Sequence, residues 1–198
     1  MRVAPPDDWL EEALGVVLAG GVVALPFERL FGLAADALDP AAVARVLAIK
    51  GPGRRGGDRP LAVVIGDLGL LPRIAREFPP AARALADRHW PGPLTLLLPA
   101  VEGLPAPLLG PSGLLGVRLP GPCPAAELAR AGSLVLTATS ANPSGGRDPL
   151  DHEDLGDLDG VDLVVPGTVP GPPGSTVVDA GPRPPRVLRR GAIDIGEG

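Results

Sequence analysis

The stretch at residues 134–145, which reads L-V-L-T-A-T-S-A-N-P-S-G, constrains the fold of this chain more than any other. Its apolar first half predicts a buried strand, and its second half passes through Ser140 and Asn142 into a Pro-Ser-Gly turn. A hydroxyl and an amide then stand at the carboxyl end of a strand, where ligands bind in α/β sheets. The same residues also suit an ordinary turn, so this stretch alone leaves both interpretations open.

Composition excludes several classes of protein. The chain has 198 residues and a net charge of −5, and it lacks an apolar run near the roughly 20 residues of a membrane span. We therefore expect a globular protein of the cytoplasm that makes no membrane contact. The negative charge argues against a surface devoted to nucleic acid. The single cysteine, Cys123, predicts a reduced thiol.

Helix and strand signals alternate along the chain. A helix is predicted at residues 9–19 with Asp7 or Asp8 as its cap, and another begins at Asp39-Pro40. Further helices are predicted at 73–78, 80–89 and 125–130, and strands at 22–25, 60–65, 94–98, 116–120 and after the turn at 174–175. Because no linker or second core interrupts this alternation, residues 1–198 are interpreted as one α/β domain.

Lys50 is the only lysine of the chain, and it ends the apolar stripe of the second predicted helix. Its side chain is expected either to reach solvent, which position alone favours, or to point into a cleft at the helix end. Residues 51–57 follow as a glycine-rich loop that carries Arg54 and Arg55. This loop is either a solvated basic segment or an anion clamp. Its G-x-G-x-x-G follows a helix, so it fails as a dinucleotide fingerprint.

Two further charged features stand out. Arg118 lies in a short apolar strand, and such an arginine needs an anionic partner from the protein or from a ligand. The acidic run at residues 148–162 does not have the spacing of a calcium loop. It is predicted to be a solvated loop with a turn at Asp159-Gly160.

Eight segments in chain order resemble the motifs of the YrdC/Sua5 family of threonylcarbamoyl-AMP synthases. They are P-x-E-x-x-x-G-L at 26–33, Lys50 with its arginine-rich loop, Pro60-Leu61, P-G-P-L-T-L at 91–96, V-R-x-P at 117–120, S-A-N-x-S-G at 140–145, S-T-V-V-D at 175–179 and L-R-x-G-A-I at 188–193. Each is weak alone, but the ordered set covers about residues 10–195. The resemblance implies a single-domain, twisted mixed sheet with helices around a wide, positively charged cavity, in the short form of the family.

The resemblance also implies a reaction. L-threonine, bicarbonate or CO2, and ATP with Mg2+ would give threonylcarbamoyl-AMP and pyrophosphate, the first step of the t6A37 modification of tRNA. Such a nucleotidyltransferase works mainly by positioning and charge neutralisation. The implied partners are the later t6A-transfer proteins, with a weak tRNA contact.

Site residues follow from the same resemblance. Lys50, Ser140 and Asn142 would be catalytic. ATP would be bound by these three together with Arg54, Arg55 and Arg189. Threonine would be bound by Arg29, Phe31, Arg118, Ala138 and Ser175, with Arg118 clamping its carboxylate.

The chain departs from the family pattern at two places. The family's P-T-[ED]-T-x-Y-G-L is P-F-E-R-L-F-G-L here, so Phe27 and Arg29 replace threonines and Phe31 replaces a tyrosine. Pro52 stands two residues after Lys50, where the family has arginine. Two alternatives therefore stay open: a nucleotide- or RNA-binding module without chemistry, and an enzyme that carbamoyl-adenylates a different amine.

Overall fold

The computed structural model describes residues 1–51, 60–156, 158–182 and 184–196. The predicted loop arginines Arg54 and Arg55 lie outside the described residues. Within these ranges, ten strands form one mixed sheet in the order β1-β8-β2-β3-β7-β4-β6-β5-β9-β10. The predicted fold class, an α/β protein built on a mixed sheet with helices, is confirmed. In the same ranges no helix has the length and apolar character needed to cross a membrane.

The strands are β1 (Arg2–Val3), β2 (Val23–Pro26), β3 (Phe31–Ala34), β4 (Ala62–Ile65), β5 (Leu94–Pro99), β6 (Leu114–Arg118), β7 (Val135–Ser140), β8 (Leu163–Val164), β9 (Thr176–Asp179) and β10 (Arg186–Arg189). The α-helices are α1 (Trp9–Leu18), α2 (Pro40–Lys50), α3 (Pro80–His89) and α4 (Pro124–Ala131). Short 3-10 helices cover Leu68–Arg73, Ala106–Leu108 and His152–Leu155.

Strand β7, predicted from residues 134–145, lies near the middle of the sheet. It runs antiparallel to β3 on one side and to β4 on the other. Ser140 pairs with Gly32 of β3, and Ala138 pairs with Ala62 of β4. Because β7 is a central strand, the Ser-Ala-Asn stretch emerges among several neighbouring strand ends.

Alternating side chains of the strands build two cores, one on each face of the sheet. Val63 and Ile65 of β4 pack into the core that α2 and α3 cover, whereas Val64 packs into the core that α1 and α4 cover. This period of two is the pattern expected for a strand that is buried on both faces. Val63, Val64 and Ile65 are accordingly all fully buried.

Helix boundaries test the local predictions. Asp39 caps α2 by accepting a hydrogen bond from Ala41 N at 2.8 Å, so the predicted start is confirmed. Asp8 precedes α1 but its side chain makes no capping bond. Its backbone angles, φ −115° and ψ 5°, lie outside the extended region that an N-cap residue normally adopts. The predicted carboxylate cap is therefore wrong.

The predicted helix at residues 73–78 is also wrong. Helical turns occupy Leu68–Arg73 instead, where the Asp67 carboxylate accepts a hydrogen bond from Gly69 N at 2.7 Å. The following backbone bonds to the end of β5, through a bridge between Ala75 and Ala100 and a bond from Arg76 N to Pro99 O at 2.8 Å. Those bonds replace the ones a helix would need.

Candidate active site

A cavity of about 800 Å3 lies over the middle of the sheet. Its floor contains small residues from four adjacent strands: Gly32 of β3, Ala138 of β7, Ala62 of β4 and Gly116 of β6. Bulky side chains at these positions would fill the space above the sheet. The row of small residues, which local sequence patterns do not reveal, therefore creates the depression.

The strand-end corner, which we define as Lys50, Ser140 and Asn142, forms one wall. Lys50 Nζ donates to Ser140 O at 2.7 Å, Asn142 O at 2.6 Å and Asn142 Oδ1 at 2.7 Å. Lys50 is only 3% exposed. The expectation that its side chain reaches solvent is wrong, because three oxygen acceptors at the end of β7 make burial of the ammonium group favourable.

Further hydrogen bonds fix the geometry of the strand-end corner. Ser140 Oγ donates to Asn142 Oδ1 at 2.8 Å. Asn142 Nδ2 donates to Gly146 O at 2.8 Å and to Asp148 Oδ1 at 3.0 Å. The interpretation as a built site is thereby favoured over an ordinary turn, because these polar groups are oriented together before any ligand binds.

The hairpin tip, which we define as residues 27–30 between β2 and β3, forms a second wall. A bond from Phe27 N to Leu30 O at 3.0 Å closes the turn. The Phe27 ring lies over Gly32, and a Cβ at that glycine would collide with ring atoms. Arg29 Nη2 donates to Pro172 O at 3.4 Å, while Arg29 Nε is buried without a hydrogen-bond partner among the described residues.

Arg118 finds its anionic partner in the protein itself. Its Nη1 lies 2.8 Å from Glu28 Oε2, and Glu28 Oε1 accepts a hydrogen bond from Gly121 N at 2.7 Å. The two side chains are 10% and 12% exposed. Burial lowers the pKa of the Arg118 guanidinium, and Glu28 counteracts that effect. The guanidinium also lies 5.7 Å from the centre of the Phe27 ring.

The start of β9 and the end of β10 form the opposite rim. Ser175 Oγ shares a hydrogen bond with Thr95 Oγ1 at 2.8 Å. Arg189 Nη2 donates to Ser175 O at 2.9 Å and to Ser175 Oγ at 3.1 Å. Gly191 passes so close to the backbone of Gly174 that a Cβ would not fit. This contact accounts for the glycine in the L-R-x-G-A-I segment.

The structure brings most of the predicted site residues into this one cavity. Lining residues among the predictions are Lys50, Ser140, Asn142, Arg29, Phe31, Arg118, Ala138, Ser175 and Arg189. The Phe31 ring, however, is fully buried in the core. Sequence reasoning missed Thr95 and the pairing role of Glu28, because their partners lie 80 or more positions away in the chain. It also missed Asp148, although the partner Asn142 lies only six positions before it.

Basic side chains outnumber acidic ones among the charged residues of the described lining. Lys50, Arg29, Arg118, Arg189 and Arg190 line the cavity, whereas Asp148 is the one carboxylate among the lining residues that the structure describes. Such an excess of guanidinium and ammonium groups suits an anionic ligand.

Comparison with known proteins identifies close relatives. The model of the Sua5/YciO/YrdC family, whose description is telomere recombination, matches residues 16–191. The threonylcarbamoyl-AMP synthase of Pyrococcus abyssi is 37% identical over 196 residues, which are 96% of this chain and 56% of that protein. The threonylcarbamoyl-AMP synthase of Halorhodospira halophila is 36% identical over 154 residues, 77% of this chain and 79% of that protein.

The comparison with solved structures finds the same family as the comparison of sequences. The crystal structure of P. abyssi Sua5 complexed with L-threonine has a TM-score of 0.85 and 34% identity, and it matches 96% of this chain and 56% of that chain. This chain thus spans about half the length of the P. abyssi protein.

Proposed function

The chain belongs to the Sua5/YciO/YrdC family, and from this membership we propose that it is a threonylcarbamoyl-AMP synthase. In this proposal it consumes L-threonine, bicarbonate or CO2, and ATP, and it acts in the cytoplasm as a nucleotidyltransferase that starts t6A formation in tRNA. The observation that carries the proposal is the strand-end corner, where Lys50, Ser140 and Asn142 share one hydrogen-bond network at the edge of a large cavity.

The proposed chemistry proceeds in two steps. The threonine amine adds to CO2 and loses a proton, which gives a carbamate. A carbamate oxygen then attacks the α-phosphorus of ATP, and pyrophosphate leaves with the electron pair of the broken P–O bond. No covalent enzyme intermediate is needed, so the protein contributes orientation and charge.

The strand-end corner supplies both contributions in this proposal. The Lys50 ammonium would neutralise negative charge that develops on the α-phosphate. Ser140 and Asn142 would exchange bonds within the corner for hydrogen bonds to the reacting groups, and their mutual bond at 2.8 Å keeps them in a fixed arrangement until a substrate binds. Arg118 and Ser175 are assigned to threonine, and Arg189, Arg54 and Arg55 to the nucleotide.

Mg2+ enters this proposal as part of the MgATP substrate. The described residues contain no cluster of three or more His, Cys, Asp or Glu side chains that could hold a metal ion. Mg2+ in nucleotide sites usually takes most of its ligands from phosphates and water, with one or two carboxylates. Asp148, which lines the cavity, is the side chain that could approach such an ion.

Product analysis tests the proposal directly. Protein, ATP, Mg2+, bicarbonate and L-threonine are incubated, and the mixture is examined by mass spectrometry together with pyrophosphate release. We expect threonylcarbamoyl-AMP only when threonine is present. Arg76→Thr changes an exposed arginine outside the cavity and should leave the yield unchanged. Absence of product from a chain that still binds ATP would contradict the proposal.

The same assay tests the two alternative functions that the sequence left open. A nucleotide- or RNA-binding module without chemistry is not favoured, because the named relatives are synthases. Carbamoyl-adenylation of a different amine would give product with another amino acid and none with threonine.

A further inference from the structure

The side-chain amide of Asn142 uses every hydrogen-bonding position that it has. Its oxygen Oδ1 accepts from Lys50 Nζ at 2.7 Å and from Ser140 Oγ at 2.8 Å. Its nitrogen Nδ2 donates to Gly146 O at 2.8 Å and to Asp148 Oδ1 at 3.0 Å. An amide offers two lone pairs and two hydrogens, so all four positions of this group are engaged.

The surroundings of the Asn142 amide favour one orientation over the other. An ammonium group and a hydroxyl, which donate, face Oδ1, whereas a carbonyl and the Asp148 carboxylate, which accept, face Nδ2. A half-turn about the Cβ–Cγ bond would point the amide oxygen at the carboxylate and the amide hydrogens at Lys50. Both contacts would be repulsive, and Asn142 is only 6% exposed. Of the two acceptors that face Nδ2, Asp148 carries the charge and therefore opposes the flipped orientation more strongly.

Asp148 is presented to Asn142 by a segment with its own hydrogen bonds. Two positions after Asp148, Leu150 N donates to Asp154 Oδ2 at 3.1 Å. The carbonyl oxygen of Leu150 accepts from Val169 N at 2.8 Å. The carboxylate therefore extends from an anchored backbone, which a group that orients a neighbouring side chain requires.

We propose that Asp148 is a positioning residue, whose carboxylate holds the Asn142 amide with Oδ1 toward Lys50 and Ser140. Asp148 acts on turnover through Asn142 and does not touch the reacting atoms. Its effect on turnover rests on the proposed function, whereas the orientation of the amide can be measured on the protein alone. A ligand of the Mg2+ in MgATP would behave differently, and kinetics separate the two roles.

Steady-state pyrophosphate release tests the proposal with Asp148→Ala, which removes the acceptor. We expect kcat to fall about tenfold, as for the loss of one hydrogen bond to a charged group. The KM values for ATP and L-threonine and the Mg2+ concentration for half-maximal rate should stay within about twofold of wild type. Asp148→Asn should recover part of the rate, since its side-chain oxygen can still accept. Asp159→Ala is the matched control, an exposed residue of the same acidic run outside the cavity.

A second background shows whether Asp148 acts through Asn142. Once Asn142→Ala has removed the amide, Asp148 has no group left to orient. In that background Asp148→Ala should change kcat by less than about twofold, against about tenfold in the wild-type chain. An equal loss in both backgrounds overturns the proposal, because Asp148 would then act independently of Asn142.

Proton–nitrogen NMR spectra of the nitrogen-labelled chain report on the amide without turnover. Asn142 Nδ2 gives a pair of side-chain signals, which are assigned by their loss in Asn142→Ala. Asp148→Ala should shift this pair, because one hydrogen loses its carboxylate acceptor, and Asp159→Ala should leave it unchanged. Unchanged Asn142 signals in Asp148→Ala overturn the proposal.

The remaining outcomes also decide between roles. A changed Mg2+ requirement with an unchanged kcat at saturating Mg2+ identifies a metal ligand and overturns the positioning role. Higher KM values for both substrates together with a lower melting temperature identify a structural role and overturn it as well. A wild-type chain that forms no threonylcarbamoyl-AMP contradicts the proposed function, and the NMR comparison still decides whether Asp148 orients the Asn142 amide.

Discussion

The strand-end corner and the hairpin tip border the same cavity, but their polar groups are used in opposite ways. In the corner, Lys50 Nζ, Ser140 Oγ and Asn142 Nδ2 all donate to oxygens of the protein. At the tip, Arg29 Nε donates to none in the part of the chain that the structure describes. A saturated network keeps its shape before a substrate arrives, which suits catalysis, whereas an unused donor suits recognition.

The largest expected effect comes from opening the corner with Lys50→Met. Methionine keeps an apolar stem of similar length but removes the ammonium group and its three close hydrogen bonds. We expect turnover to fall at least about 100-fold, as for the removal of one strong electrostatic contact to a transition state. Pyrophosphate release measures turnover, and circular dichroism checks the fold. Near-normal turnover would show that the strand-end corner has a structural role and no catalytic one. The proposed difference in function between the corner and the hairpin tip would then be wrong.

The second expected effect concerns the tip. Glu28→Gln leaves the buried Arg118 guanidinium without a negative partner, and it should lower the free energy of unfolding by about 3 kcal/mol. Urea denaturation measures the loss. The double variant Glu28→Gln, Arg118→Met should lose less than Glu28→Gln alone, since it removes the unpaired charge. A single variant as stable as wild type would show that the tip does not depend on this ion pair.

The third and smaller expected effect is a loss of stability at the contact between Phe27 of the hairpin tip and Gly32 in the floor of the cavity. Gly32→Ala places a methyl group against the Phe27 ring and should cost about 1 to 3 kcal/mol of stability through overpacking. Gly116→Ala is the matched control, because its Cβ would come no closer than 3.3 Å to Thr95 Cγ2. Thermal denaturation compares the two variants. Equal losses would mean that the Phe27 ring does not press on Gly32.

The smallest expected effect concerns Asp162, which belongs neither to the strand-end corner nor to the hairpin tip. Its loss of stability serves as a reference for the variants in those two regions. Burial raises the pKa of Asp162, but hydrogen bonds from Arg45 and Val22 N outweigh burial and hold that pKa below its ordinary value of 3.8. The stabilisation is therefore present above that value and is lost as the pH falls through the folded-state pKa. Asp162→Asn should cost no more than about 1 kcal/mol at pH 7.

Thermal denaturation at several pH values checks this expectation. The difference between wild type and Asp162→Asn should shrink as the pH falls below 3.8, the ordinary value for this carboxyl. Turnover at pH 7 should not change, because Asp162 is not among the lining residues of the cavity. A constant difference at every pH would show that the loss does not arise from the charge.

Local signals predicted most of the elements but few of the contacts in the site. Asp39-Pro40 and residues 80–89 carry their own start and length signals, and both helices form as predicted. Residues 73–78 do not form a helix because their backbone partners belong to β5, which no local pattern includes. The helical pattern placed Lys50 correctly on the apolar stripe of α2.

The state of the Lys50 side chain was not predictable in the same way. Its oxygen partners lie 90 and 92 positions later in the chain, so only the assembled sheet shows that the ammonium group is buried. The apolar setting of Arg118 did indicate a need for an anion. Nothing near it in the sequence, however, identified Glu28 as that anion.

The floor of small residues has a consequence for selectivity. Gly32, Ala62, Ala138 and Gly116 bring no side-chain donor or acceptor, and their strands β3, β7, β4 and β6 are paired in that order through the backbone. The middle of a bound substrate would therefore contact an apolar surface. Its charged ends would contact polar groups at the edges of the cavity. We expect the cavity to select substrates by the distance between their two charged ends.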